Sequence, residues 1–124
     1  MELGVFFENV IEYADKPIVF CDLDYRIVYM NRKAEEEYTA AGARVTVGSS
    51  LRVCFDEESQ SKIDMSVEWF KEGKDNNKVF AFHKDEDNSD VYIKAVRDSE
   101  DRLIGFYNYI MPRSTETGKA YDLD

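Results

Sequence analysis

The spacing of apolar and polar positions predicts a helix, two short strands, a helical middle and three longer strands. Leu3, Phe6, Phe7, Val10, Ile11 and Ala14 fall at i, i+3, i+4, i+7, i+8 and i+11, with Glu2, Glu8, Asn9 and Glu12 off that stripe. This is the signature of an amphipathic helix over residues 2–14. Pro17 closes the segment, because the residue before a proline is pushed out of the helical region. Ile18–Asp22 and Arg26–Met30 are rich in the branched and aromatic residues that suit a pleated surface, and Leu23-Asp24-Tyr25 between them predicts a tight turn. Asn31 then stands as the N-cap of a short helix, with Ala34 and Tyr38 four residues apart. Residues 39–50 are small and turn-forming, predicting irregular chain with one short helical turn at most. Asp56 is the expected N-cap of a helix to about Glu72, with Glu57 and Glu58 favourable in its first turn and Gly73 as its stop.

Three strands follow, Lys78–Lys84, Asp90–Arg97 and Leu103–Met111, joined by short polar links that predict antiparallel neighbours. Pro112 should end the pairing and leave a polar, loose tail over residues 113–124. Successive side chains of a strand point to opposite faces. The odd set holds Val19, Cys21, Val79, Ala81, His83, Val91, Ile93, Ala95, Gly105, Tyr107 and Tyr109. The even set holds Ile18, Phe20, Phe80, Phe82, Tyr92, Val96, Ile104, Phe106 and Ile110. Both sets are apolar, so neither face is built to meet water.

Composition narrows the class. A chain of 124 residues with 44% hydrophobic content suits one domain with a real core. The net charge of −10 disfavours nucleic acid and anionic membranes as partners. No long uncharged apolar run or export signal is present, so the expected location is the cytoplasm and the expected state of Cys21 and Cys54 is reduced.

The stretch VFCDLDYRIVYMNRKAEEEY has an acidic residue closing a first strand, a turn, an Ile-x-Tyr second strand, then Asn and an Ala-Glu helix. It resembles the start of a PAS domain. RDSEDRLIGFYNYI likewise resembles that family's strand ending in Arg-Asp, a turn and a last strand containing glycine. The resemblance covers roughly residues 17–111. It implies an α+β fold with a five-stranded antiparallel sheet in order 2-1-5-4-3 and helices inserted between strands 2 and 3, here preceded by the amphipathic helix. The expected division is residues 1–16 as that helix, 17–112 as the PAS-like domain and 113–124 as tail. Matching the family's pattern around Gly105 turns the odd face inward and places Val19, Cys21, Cys54, Phe55, Trp69, Val79, Ala81, Ile93, Tyr107 and Tyr109 at a small ligand pocket. The even face then needs cover. A homodimer formed through Leu3, Phe6, Phe7 and Val10 together with Phe80, Phe82 and Phe106 would supply it, and docking of the helix on its own sheet is the alternative.

The resemblance also bears on cofactors. Its haem-binding members use a histidine on the long helix, whereas His83, the sole histidine, lies at a strand end beside Lys84 and Asp85. Its flavin photosensors carry a reactive cysteine before that helix, where this chain has Leu51, with Cys54 three residues later. Matching the strands puts Ala81, Ser89 and Tyr107 at their polar flavin-contacting positions. Histidine-ligated haem and cysteinyl-flavin photochemistry are therefore not expected, and the ligand is left unidentified. Asp85-Glu86-Asp87 lacks the turn glycine of a calcium loop, and no zinc spacing, phosphate loop or nucleophile elbow occurs, so neither a metal nor a catalytic site is expected.

Two functions remain. One is a PAS-like sensory or interaction module without catalysis, in which a ligand shifts Phe55 and Trp69 against the sheet and the sheet signals to the N-terminal helix. The other is a small enzyme of the cone-shaped ketosteroid-isomerase type, which needs a shielded inward carboxylate as base. The inward positions hold none, favouring the module. No kinase, cyclase or DNA-binding segment fits after residue 112, so a separate output protein is expected, or this chain is a piece of a larger sensor.

Overall fold

The computed structural model describes residues 3–42, 45–114 and 118, leaving the Val53 and Cys54 side chains undescribed. The elements are α1 (Leu3–Glu12), β1 (Val19–Asp22), β2 (Ile27–Met30), α2 (Arg32–Ala40), a 3-10 turn (Leu51–Cys54), α3 (Glu57–Glu72), β3 (Lys78–Lys84), β4 (Ser89–Arg97) and β5 (Leu103–Pro112). The five strands form one antiparallel sheet in the order β2-β1-β5-β4-β3. Fold class, strand order and the inserted helices agree with the sequence-based expectation.

Local chemistry explains the boundaries. Asn31 caps α2 by accepting from Ala34 N at 2.9 Å, and Asp56 caps α3 by accepting from Ser59 N at 2.8 Å. At the other end of α3 the orphan carbonyls meet one guanidinium: Arg97 Nη2 donates to Phe70 O at 2.7 Å, Gly73 O at 3.1 Å and Asn76 O at 3.2 Å. A cation at a helix C-terminus satisfies acceptors and complements the dipole together. The β1–β2 and β4–β5 turns use one device. Asp22 Oδ1 accepts from Asp24 N and Arg26 N, and Asp98 Oδ1 accepts from Glu100 N and Arg102 N. Tyr25 and Asp101 occupy the same position in each turn, both at φ 64°.

The inner sheet face packs under α3 and the 3-10 turn, where Val19, Cys21, Leu51, Ile63, Val67, Phe70, Ile93 and Phe106 are all buried. The assignment of faces departs from the simple odd–even rule on two strands. On β5, Cys21 pairs with Phe106 and Ile93 with Asn108, so the even residues Phe106, Asn108 and Ile110 share the inner face. Phe106 is thus a core residue, and Tyr107 and Tyr109 turn their rings outward against Phe20 and Tyr92. On β3 a bulge falls between Phe80 and Phe82, after which Phe82 opposes the buried Val91 and joins the inner side. Parity is a property of each strand alone; loop lengths and bulges decide how one strand's parity maps onto the next.

Two further expectations are corrected. Trp69 lies 40% exposed on the flank of α3 rather than against the sheet, because the inward stripe is Ile63, Ser66, Val67 and Phe70. The tail does not loosen at residue 113: Arg113 grips the Asp90 carboxylate with Nε at 2.9 Å and Nη2 at 2.8 Å, and its backbone N donates to Asn88 O. Residues 115–117 and 119–124 lie outside the described residues.

Candidate functional site

A cavity of about 330 Å³ lies between the inner sheet face, the N-terminal half of α3 and the 3-10 turn. Val19 and Cys21 of β1, Leu51, Phe55, Ile63 of α3, Val91 and Ile93 of β4, and Phe106 and Ile110 of β5 give it an apolar wall. Ser59, Lys62, Lys84 and Asn108 supply polar groups along with Tyr38, and among the described residues no Asp or Glu lines it. A few polar groups in an apolar hollow of this size describe small-molecule sites generally. Lys62 is solvent-exposed and Phe82 is 48% exposed, which puts the mouth beside them. Lys62 Nζ reaches from α3 to Ala81 O, 2.9 Å away at the β3 bulge.

Two asparagines tie this site to the approach of α1. Asn108 accepts from Val19 N and donates to Pro17 O, both at 2.7 Å. Asn31, fully buried, accepts from Ile18 N at 2.9 Å and donates to Ile11 O and Lys16 O at 3.0 Å. A buried amide needs such partners, and here the partners are the backbone between α1 and β1. Tyr29 adds a hydrogen bond to Glu12 Oε2 at 2.5 Å, and burial, then this bond, pushes its hydroxyl well above the ordinary phenol range.

A second polar knot braces the cavity's far side. Tyr25, 6% exposed, donates to Asp64 Oδ1 at 2.5 Å, while Arg52 lies over its ring and pairs with the same oxygen at 3.0 Å. Burial, then the Asp64 bond, raises the Tyr25 hydroxyl; the Tyr25 bond, with help from Arg52, holds the Asp64 carboxyl below its usual value. The β1–β2 turn, the 3-10 turn and α3 are thereby joined.

The outer sheet face is a continuous aromatic surface. Phe20 meets Tyr29 and Tyr107, and Tyr92 meets Phe80 and Tyr109, with ring centroids between 5.2 and 6.4 Å apart. Lys78 and Lys94 lie over the Tyr92 and Tyr109 rings at 4.8 and 4.4 Å. Above one edge of the sheet, α1 buries no residue, and Leu3, Phe6, Phe7 and Val10 are 55–70% exposed.

Of the residues singled out from sequence, Val19, Cys21, Phe55, Ala81 and Ile93 border the cavity. Tyr107 borders it too, but its ring stacks on Phe20 outside, and burial raises its hydroxyl. Val79 and Trp69 instead flank a shallow groove across α3, and Tyr109 faces out. The Cys54 side chain lies outside the described residues. Ser89 is buried at the β3–β4 hairpin, away from the cavity wall. His83 bonds Asp90 at 3.0 Å on the edge strand, and Arg113 first, then His83, lowers the Asp90 carboxyl. Lys62, Asn108 and Leu51 were missed. Asn108, a lone amide in the apolar run from Leu103 to Ile110, was the available signal. Among the described residues no metal-ligating group converges and no helix is long and apolar enough to cross a membrane.

No family model and no curated protein matches the sequence. Solved structures do match in fold. The PAS domain of a Colwellia psychrerythraea protein superposes with a TM-score of 0.64 at 13% identity, covering 90% of this chain and 97% of that one. The C-terminal domain of a Streptococcus mutans protein gives 0.62 at 21% identity, covering 86% and 81%. An RNA-binding Light-Oxygen-Voltage receptor gives 0.59 at 18% identity; this chain is covered to 89% and spans 32% of that receptor. The chain has a PAS-like fold.

Proposed function

We propose that the chain is a sensory and interaction module in signal transduction, taking a small apolar ligand into the inner cavity and passing its occupancy through the sheet to a second copy on the outer face. The apolar cavity of about 330 Å³ is the observation that carries this reading. Asn108 lines that cavity and holds the segment leading back to α1, so a ligand that moves β5 also moves the approach of the helix. A ligand changes such an equilibrium only by contacting two states differently, and Asn108 and Phe55 are placed to differ.

The second copy is argued from apolar surface. The α1 stripe and the aromatic outer face are both uncovered and together exceed what a soluble monomer ordinarily exposes. Glu8 on α1 complements Lys78 and Lys94 on the sheet, which favours the helix of one copy on the sheet of another. The PAS and Light-Oxygen-Voltage neighbours support a sensory role. The RNA binding of the latter does not carry over, because the net charge of −10 opposes a polyanion. We read the module as cytoplasmic and non-catalytic. Among the described residues the cavity wall holds no carboxylate of the kind an isomerase base requires, and His83 is not one of its lining residues, which supports this reading.

Amide NMR spectra of the chain against a panel of apolar metabolites and flavins test the ligand. Shifts at Val19, Ile63 and Ile93 are expected; a panel that moves none of them overturns ligand sensing. Sedimentation tests the pairing: the wild type is expected to be a dimer and Phe6→Asp with Phe7→Asp a soluble monomer, and an unchanged coefficient overturns the interface.

A further inference from the structure

We propose that the cavity selects an apolar molecule bearing one carboxylate, with Lys62 as the anchor for the acid. The proposal rests on the cavity being a ligand site, and it adds the chemical class. The chain holds 26 acidic and 16 basic residues, yet among the described residues the charged ones on the cavity wall are Lys62 and Lys84. Glu58, one turn before Lys62 on α3, lines the shallow groove that Lys62 also borders and is not among the residues of the cavity wall. Lys62 and Lys84 therefore place positive charge at the cavity wall of an acidic protein. The rest of the hollow suits a hydrocarbon body, and its size suits a medium-length alkyl chain or a fused aromatic pair.

The present partner of Lys62 explains how it would act. Its ammonium donates to Ala81 O at the β3 bulge, a neutral acceptor. An ammonium has three donors, and a carboxylate adds the attraction of opposite full charges to the hydrogen bond that a neutral carbonyl offers. An acid entering the mouth draws Lys62 toward it and slackens the tie to Ala81. Ala81 stands between Phe80, on the outer face, and Phe82, on the cavity rim. Acid binding inside thus reaches the aromatic surface outside by one residue of edge strand. Lys84 is the lesser contributor, since its charge also acts on Asp87 in the hairpin turn. The remaining inward amide, Asn108, is committed to Val19 and Pro17.

Calorimetry of the full chain with octanoate, octanol, octylamine and 2-naphthoate tests this. Octanoate is expected to bind at least about tenfold more tightly than octanol, and octylamine more weakly than either. Lys62→Met should bring octanoate down to the level of octanol without changing octanol, and Lys62→Arg should keep the preference. A tighter fit for 2-naphthoate than for octanoate assigns the acid to the aromatic class; the reverse assigns it to the alkyl class. Equal binding of octanoate and octanol, or a ratio untouched by Lys62→Met, overturns the acid anchor while leaving the cavity reading standing. Binding of none of the four probes overturns both. So does binding that survives Ile93→Trp, with Val91→Phe as the filling variant should the first not fold.

Discussion

The two faces of the sheet carry similar apolar content and end in opposite conditions. The inner face is closed by α3, and Phe70 and Ile27 there are at most 1% exposed. The outer face holds at least as many rings, yet Phe80 is 52% exposed and α1 stands off with no buried residue. The difference lies in the attachments. Arg97 ties the end of α3 to the sheet through three carbonyls, while α1 is tethered only where its C-terminal end meets Asn31 and Tyr29. Hydrophobicity gives each face a reason to be covered; specific polar ties decide which element covers it.

Substitutions can break or sharpen that contrast. In the Phe6→Asp, Phe7→Asp monomer, Phe70→Ala, emptying the closed side, is expected to cost about 4 kcal/mol in denaturant unfolding, against under about 1 kcal/mol for Phe80→Ala on the open side. Equal losses would show the outer face to be as closed as the inner. Gly105→Ala comes next, because a Cβ there would stand 2.1 Å from Cys21 O, a backbone atom that cannot swing aside. Overpacking of this kind costs about 2 kcal/mol, measured in the same way. A smaller effect separates the braces by pH. The Asp64 carboxyl is held below its usual value, so its contribution is present above the ordinary carboxylate range and is lost as pH falls through the lowered value. Tyr25→Phe should flatten that acid limb in thermal scans only partly, since Arg52 remains and solvent screens the pair. Smallest is Lys94→Met on the outer face, about 0.5 kcal/mol from one exposed cation–ring contact.

Local rules were legible wherever one side chain serves its own neighbourhood. Asn31, Asp56 and Gly73 mark helix ends in the sequence and in the fold. The paired turns show where legibility stops. Asp22 and Asp98 organise the same loop by the same backbone bonds, yet Tyr25 is buried against Asp64 and Arg52 whereas Asp101, in the equivalent place, is exposed. The residue types differ, but the partners that hold Tyr25, namely Arg52 and Asp64, lie far along the chain, the latter 39 positions away. The candidate site divides in the same way: Val19, Cys21 and Ile93 were readable as inward from alternation, but Phe82, Phe106 and Tyr109 were assigned to the wrong side. Alternation reports that two residues oppose each other, not which of them faces α3. Lys62 was unreadable as a cavity residue because it follows from how α3 lies against the β3 bulge.

By itself, then, the sequence determined the elements, their caps and turns, the strand order that a resemblance could supply, and the presence of two apolar sheet faces, because each rests on spacing within one segment or on ordered local signals. Tertiary structure decided the side to which each β5 residue points, the closing of one face by α3 and not the other by α1, and the meeting of Lys62 with an apolar cavity. These depend on strand register, on a single bulge and on long-range polar ties such as Arg97 to Phe70 O and Asn108 to Pro17 O, which join residues 27 and 91 positions apart.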